Sequence, residues 1–207
     1  MRLLLLRHGE TAHNAQQLAL GQADVPLTDR GRRQAQAVAS RLGGEPIAAV
    51  YSSPLRRAVA TATPLADARK LAVQTASDLI EMAIGEMDGL TFAEVRERYP
   101  EFLRLWLSDQ LADAVMPGGE SLRQVQARVW AALESIRARH AEETVAVVTH
   151  NFVILSILCQ VLDLPLARFR VLRHDLAAVS VLELTPERAF VVSVNDRCHL
   201  NGERRGL

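Results

Sequence analysis

Residues 1–14 read MRLLLLRHGETAHN, and the four leucines at 3–6 settle the first question of architecture. A short continuous apolar run bounded by polar residues has the pattern of a strand covered on both faces, as in a parallel sheet. The run ends abruptly in Arg7, His8 and Gly9. In open parallel sheets, functional groups collect beyond the carboxyl ends of the strands. The stretch is therefore either a polar strand end or half of an active site.

Similar runs recur along the chain. IAAVYS at 47–52, LAVQT at 71–75 and TVAVVT at 144–149 read as further buried strands. AVSVLEL at 178–184 and RAFVVSV at 188–194 flank Thr185-Pro186-Glu187 and predict an antiparallel hairpin. Between the runs lie helical patterns. Thr28 caps residues 29–42, which Gly43-Gly44 stop, and Ser53-Pro54 opens a helix over 55–68. Ser121 to His140 predicts a long amphipathic helix with Leu122, Val125, Val129, Leu133 and Ile136 on one face. Strands alternating with helices imply an α/β fold, a three-layer α/β/α sandwich with a mostly parallel sheet and one antiparallel edge strand. The stretch 82–120 breaks this rhythm with short helical pieces and reads as a small cap inserted into a single domain spanning 1–207.

Composition narrows the function. The chain of 207 residues is about half apolar, enough for a sizeable core, and its 24 basic and 24 acidic residues cancel. No basic field invites nucleic acid or an anionic membrane. The one lysine, Lys70, leaves no Schiff-base lysine and no lysine-dependent phosphate loop. Two cysteines, Cys159 and Cys198, make no disulfide framework and suit a reducing compartment, and the leucine run is too short for a leader or a span. The expectation is a cytoplasmic protein acting on a small molecule, as a monomer or a homodimer.

Three strand ends deliver Arg7 and His8, then Ser52, Ser53, Arg56 and Arg57, then His150, to one side of the sheet. Arginine presents a planar fork that matches phosphate oxygens and stays charged. A neutral imidazole is a competent nucleophile toward phosphorus. Phosphoryl transfer needs in-line positioning and charge neutralisation, which fixed cations supply without a metal, and a carboxylic acid opposite the nucleophile to protonate the leaving oxygen. A zinc site is disfavoured, because arginines around a cation are electrostatically wrong and no third ligand has suggestive spacing.

The blocks LLLLRHGETAHN, GQADVPLTDRGRRQA, VYSSPLRRAVATA, EMAIGEMDGLTFAEV, PGGESLRQVQARV and VAVVTHN follow in order over nearly the whole chain. This pattern resembles the histidine phosphatase superfamily, which contains cofactor-dependent phosphoglycerate mutases and broad-specificity, α-ribazole-type and fructose-bisphosphatase-type phosphatases. The resemblance implies that His8 becomes phosphohistidine and that Arg7 binds the phosphoryl group from the same loop. Of the tandem arginines it assigns Arg57 to the phosphate, and the two point about 100° apart on a helix, so Arg56 need not face the pocket. It makes His150 a donor to the transferring oxygens, Glu81 the general acid and Asn14 a phosphate contact. No metal or organic cofactor is expected.

Departures from the family pattern open further expectations. Leu20 stands where many relatives carry a glutamine, and Gln22 offers either a surrogate contact or a plain loop residue. Asn151 replaces a frequent glycine and either contacts substrate or caps the next helix. Mutases of the family place arginine and tyrosine after the acid, in ERxYG. Here Met82, Ala83 and Ile84 follow Glu81, and the cap is short. Both features favour a metal-independent phosphomonoester hydrolase over a mutase. A non-catalytic phosphate-binding module is a third reading, which the presence of Arg7, His8, Arg57, Glu81 and His150 argues against. The cap residues Met82, Ile84, Met87, Phe102, Leu103 and Trp106 read either as a wall for an apolar leaving group or as cap core, and Arg98, Arg104 and His13 as readers of a second anion or as solvated residues.

Overall fold

The computed structural model describes residues 1–200. Six strands form one sheet: β1 (Arg2–Arg7), β2 (Ile47–Ser52), β3 (Val73–Thr75), β4 (Thr144–Thr149), β5 (Val179–Leu184) and β6 (Ala189–Asp196). Their order is β3-β2-β4-β1-β5-β6. The first four in that order run parallel, and the expected hairpin β5–β6 completes the sheet on its antiparallel side, with β5 paired antiparallel to β1.

The leucine run explains why β1 lies inside. Successive side chains on a strand point to opposite faces. Leu3 and Leu5 enter one apolar cluster with Tyr51, Val145 and Val147, together with Val125, Val129 and Leu133 of α6 (Leu122–Arg139). Residues of α7 (Asn151–Val161) join the same cluster. Leu4 and Leu6 enter a second cluster with Val50, Ala146 and Val148, against α2 (Asp29–Arg41) and α3 (Arg56–Asp67). These are the three layers. The five apolar residues expected on the inner face of α6 are all buried.

The local signals act as expected at most helix starts. Thr28 Oγ accepts from the Gly31 amide at 3.0 Å, and Ser121 forms a capping box with Gln124. The third strand is shorter than its apolar run. Lys70 takes a left-handed φ of 56°, and the Leu71 amide turns back onto the Ala66 carbonyl at 3.0 Å to close the end of α3. With Leu71 committed to the cap, pairing begins only at Val73.

Between β3 and α6 the chain forms α4 (Phe92–Arg98), α5 (Pro100–Trp106) and three single 3₁₀ turns. Met82, Ile84, Met87, Val95 and Leu103 from this stretch bury into the same cluster as α6 and α7, so it has no separate core. Among the described residues no helix is long and apolar enough to cross a membrane.

The loop after β1, which carries the single turn α1 (Ala12–Ala15), packs against the start of α2 through two glycines. A Cβ on Gly9 would stand 2.6 Å from the Gly31 carbonyl oxygen, and a Cβ on Gly31 would strike the Glu10 backbone. Gly31→Ala should therefore push the loop off α2. We expect a loss of roughly 1–3 kcal/mol in urea unfolding together with a reduced turnover, the cost typical of overpacking. An unchanged unfolding midpoint would contradict this close-approach reading.

Candidate active site

Strand register builds the site. Arg7 pairs with Thr149, and Ser52 with Val148, so the carboxyl ends of β1, β4 and β2 lie level. The ladder runs one step past the strands, with the His8 amide on the Thr149 carbonyl and the Ser53 amide on the Val148 carbonyl, both at 3.0 Å. His8, Ser53 and His150 thus leave neighbouring strands side by side. The two imidazole rings stand 5.1 Å apart.

His8 is buried, and its Nδ1 lies 2.7 Å from the Gly9 carbonyl. A carbonyl only accepts, so Nδ1 carries the proton and Nε2 keeps its lone pair. Burial, then the charges of Arg57 and Arg7, hold this imidazole well below its ordinary value of 6.5. The ring is neutral, and the free nitrogen is nucleophilic.

His150 is wholly buried at the N-cap of α7, with Nε2 2.7 Å from Ser53 Oγ. Ser53 Oγ, which also accepts the Leu55 amide, has a proton to give to Nε2, and in the tautomer with that bond His150 Nδ1 is a donor. That nitrogen is buried with no hydrogen-bond partner among the described residues, as are Arg7 Nε and Arg57 Nε. Three such donors in one cluster fit an anion, since unpaired buried donors are otherwise costly.

Arg57 has no exposed surface, whereas Arg56 faces solvent. Its guanidinium donates to the carbonyls of Ala23 at 2.7 Å and Gly21 at 2.6 Å. Arg7 Nη1 donates to the His174 carbonyl at 2.6 Å. Burial draws both arginines below their usual value, Arg7 to about 10, and the Glu81 charge is the largest opposing influence on each.

Glu81 is 4% exposed. Its Oε1 accepts the Met82 amide at 2.9 Å, and its Oε2 the Phe152 amide at the start of α7 at 3.4 Å. Burial raises its pKa, and those amides with the two arginines only partly offset the rise. A carboxyl so placed holds its proton further up the pH scale, as a general acid requires.

These groups open onto a cavity of about 310 Å³ lined by Arg7, His8, Asn14, Glu81, Asn151 and Phe152 with Gln17, Leu18 and Leu20. His150 adjoins the lining through its ring contact with His8. Asn14 accepts the Thr11 amide and hydroxyl through Oδ1, which leaves its amide nitrogen to face outward. The structure separates the alternatives left open at two positions. Gln22 does not line the cavity; its Nε2 donates to the Glu81 carbonyl at 2.9 Å, so it braces the acid instead of replacing a phosphate contact. Asn151 does not cap α7, because His150 occupies that position; Asn151 is the first helical residue and lines the cavity.

Sequence reading passed over Ser53 as a partner of His150, and Thr61, whose Oγ1 accepts the Gly9 amide at 3.0 Å. Both sit in blocks that carried the resemblance, SSPL and ATA. Spacing alone does not reveal such hydrogen bonds. Of the cap residues, Ile84, Met87, Phe102, Leu103 and Trp106 line a second, apolar cavity of about 340 Å³, while Met82 is core. Arg98 and Arg104 pair at the surface with Glu94 and Glu101. His13 lines neither cavity.

Comparison with known proteins agrees with this geometry. The family model for the histidine phosphatase superfamily (branch 1) matches residues 3–197, and the chain belongs to that family. It is 36% identical over 200 residues to Phosphoserine phosphatase 1 of Hydrogenobacter thermophilus, covering 97% of this chain and 94% of that protein. It is 37% identical over 202 residues to the Metal-independent phosphoserine phosphatase of Arabidopsis thaliana, covering 96% and 83%. Among solved structures, Bacillus stearothermophilus YhfR superposes with a TM-score of 0.90 at 31% identity, covering 97% of this chain and 99% of that one.

The buried imidazoles make stability depend on pH. His8, His150 and His174 are all held below 6.5 by burial first, His174 down to about 3. Below pH 6.5 the unfolded chain binds protons that the folded one refuses, so stability is full above that value and is lost as pH falls. Glu81, its pKa raised, works in the opposite sense, one group against three. The melting temperature should fall steadily from about pH 7 to about pH 5, each histidine contributing about 1.4 kcal/mol per pH unit. A flat calorimetric profile would mean that the imidazoles protonate in place.

Proposed function

We propose that this histidine phosphatase hydrolyses small phosphomonoesters in two steps through a phosphohistidine on His8. The lone pair of His8 Nε2 attacks phosphorus while the ester P–O bond breaks. The departing oxygen keeps that bond's electron pair and takes the proton of Glu81. Glu81, now a carboxylate, removes a proton from water. The new oxygen bonds to phosphorus, and the P–N pair returns to Nε2. Arg7, Arg57, Asn14, Asn151 and the Nδ1–H of His150 hold the transferring oxygens. Fixed guanidinium charge supplies the neutralisation that a metal provides elsewhere. Reducing conditions suit the two free thiols, Cys159 and Cys198, and the setting is the cytoplasm.

The observation that carries this reading is the opposite displacement of two pKa values in one cavity: His8 down and Glu81 up. Titratable groups pushed apart by their surroundings mark nucleophile or base and acid. Water is the favoured acceptor over a second phosphoglycerate oxygen. Met82 and Ile84 bury into the core after Glu81, and neither carries a donor for a carboxylate or second phosphate.

The leaving group lies in the apolar cavity, which shares Gln17, Leu18, Leu20 and Phe152 with the catalytic one. Trp106 forms its wall, stacked on Phe102 and edge-on to Phe152. The segment 82–120 acts there as the cap.

With EDTA present, 3-phosphoglycerate and a trace of 2,3-bisphosphoglycerate should yield almost no 2-phosphoglycerate, while p-nitrophenyl phosphate releases phosphate. Rapid isomerisation with little phosphate would make the protein a mutase. His8→Ala should abolish turnover and phosphoenzyme together, and a retained rate would remove His8 as nucleophile. Trp106→Ala should raise KM for naphthyl phosphate about tenfold at nearly constant kcat, the signature of lost uniform binding. An unchanged KM would place the leaving group elsewhere.

A further inference from the structure

The residues behind Glu81 grip its main chain and leave its carboxyl alone. Arg128, on α6, donates from Nη1 to the carbonyls of Asp78 at 2.6 Å and Ile80 at 2.8 Å, and from Nη2 to that of Glu81 at 3.2 Å. The same guanidinium pairs with Glu120, Nε to Oε2 at 3.1 Å and Nη2 to Oε1 at 2.7 Å. Glu120 Oε1 also accepts the Ala83 amide at 2.8 Å, and its own amide donates to the Ala83 carbonyl at 2.9 Å. Peptide groups on both flanks of Glu81 are thus tied to one ion pair.

The neighbouring turn keeps the pair seated. Gly85 has a φ of +53°, and a side chain there would collide with the Pro117 carbonyl. Only glycine lets 83–86 lie flat against 116–120, where the Glu86 amide reaches the Pro117 carbonyl at 3.0 Å.

We propose that Arg128 and Glu120 are positioning residues for the general acid, fixing the distance from the Glu81 carboxyl to the leaving oxygen. This rests on Glu81 being that acid. The pair is modestly exposed, 20% and 17% by side chain, and such pairs add little to stability alone. α6 is already anchored by five buried apolar residues on its inner face. What the pair does is converge donors and an acceptor on residues 78–83, beside the one bond that Gln22 gives the Glu81 carbonyl. Among the described residues, the carboxyl oxygens accept hydrogen bonds from the Met82 and Phe152 amides alone, so the acid goes where its backbone goes. A displacement near 1 Å at a reacting group costs on the order of a hundredfold in rate.

The test is kcat/KM across aryl phosphates whose leaving groups run from dinitrophenol to phenol, which differ in their need for a proton. The wild type should show a shallow dependence, and Glu81→Gln a steep one. Arg128→Gln and, separately, Glu120→Gln should steepen it too, with phenyl phosphate slowed about ten- to hundredfold and dinitrophenyl phosphate by less than about threefold. Arg128→Lys, which keeps the charge but not the fork, should fall between. Added to Glu81→Gln, Arg128→Gln should cost nothing more, because no acid remains to be placed. Equal loss on every substrate, or a further loss in the double variant, would reduce the pair to a folding contact and overturn the proposal. If Glu81→Gln itself leaves the dependence shallow, the acid assignment falls and the positioning role with it.

Discussion

Arg57 carries a full charge with no exposed surface, and much of the molecule is arranged around that fact. Taking a guanidinium out of water costs several kcal/mol after relaxation, so its surroundings must answer it. Two main-chain carbonyls, Gly21 and Ala23, accept its Nη groups, while Glu81, Asp88 and Asp24 supply opposing charge. The amides of the same two residues donate to Asp88, at 3.1 Å and 2.8 Å. Each peptide group of that loop is used from both sides. Gln22, between them, reaches the Glu81 carbonyl. One buried charge ties α3, the loop before α2 and the acid-bearing segment into a single body, and it also depresses both imidazoles.

That body needs a floor, which the sheet supplies through register. Because β4 pairs in parallel with both β1 and β2, three successive strand ends stop at one level. Parallel strands require crossovers, and the helices that make them cover both faces. The leucine run is therefore the condition for the site as well as for the core. A strand with one wet face at position 1 of the chain would not have carried His8 into the middle of the sheet.

This division decides what the sequence made legible. Apolar runs and helical periodicity report burial, so the strands and the inner face of α6 were open to inspection, while the choice of Arg57 over Arg56 came from the family pattern. The family blocks placed His8, Glu81 and His150 in one region before any coordinates. Hydrogen-bond direction was not legible. Gln22 read either as a surrogate for the contact missing at Leu20 or as a loop residue, and only the fold shows its amide turned to a carbonyl. Asn151 read either as a substrate contact or as a cap, and the strand ladder, by making His150 the residue before the helix, removes the second reading. The early end of α3's cap at Leu71 is of the same kind: a backbone choice that apolar character does not encode.

A two-step phosphatase also asks for something static packing resists, since its acid and its nucleophile must each change charge or bonding in every cycle. A site anchored through the reacting atoms would lose its anchors with each step. Here the anchors lie elsewhere. His8 is oriented by Nδ1–H on the Gly9 carbonyl, a bond unaffected by whether Nε2 carries phosphorus. Glu81 is placed by carbonyls and amides of its own backbone, which bind Arg128, Gln22 and Glu120 whether the carboxyl is protonated or not. The two amides donate to its oxygens in either form, and their bonds strengthen when the proton leaves. That favours the carboxylate just when water must be deprotonated, while burial restores the acid for the next ester. In the proposed mechanism, holding the main chain firmly and the carboxyl lightly would let Glu81 serve as acid and then as base without moving.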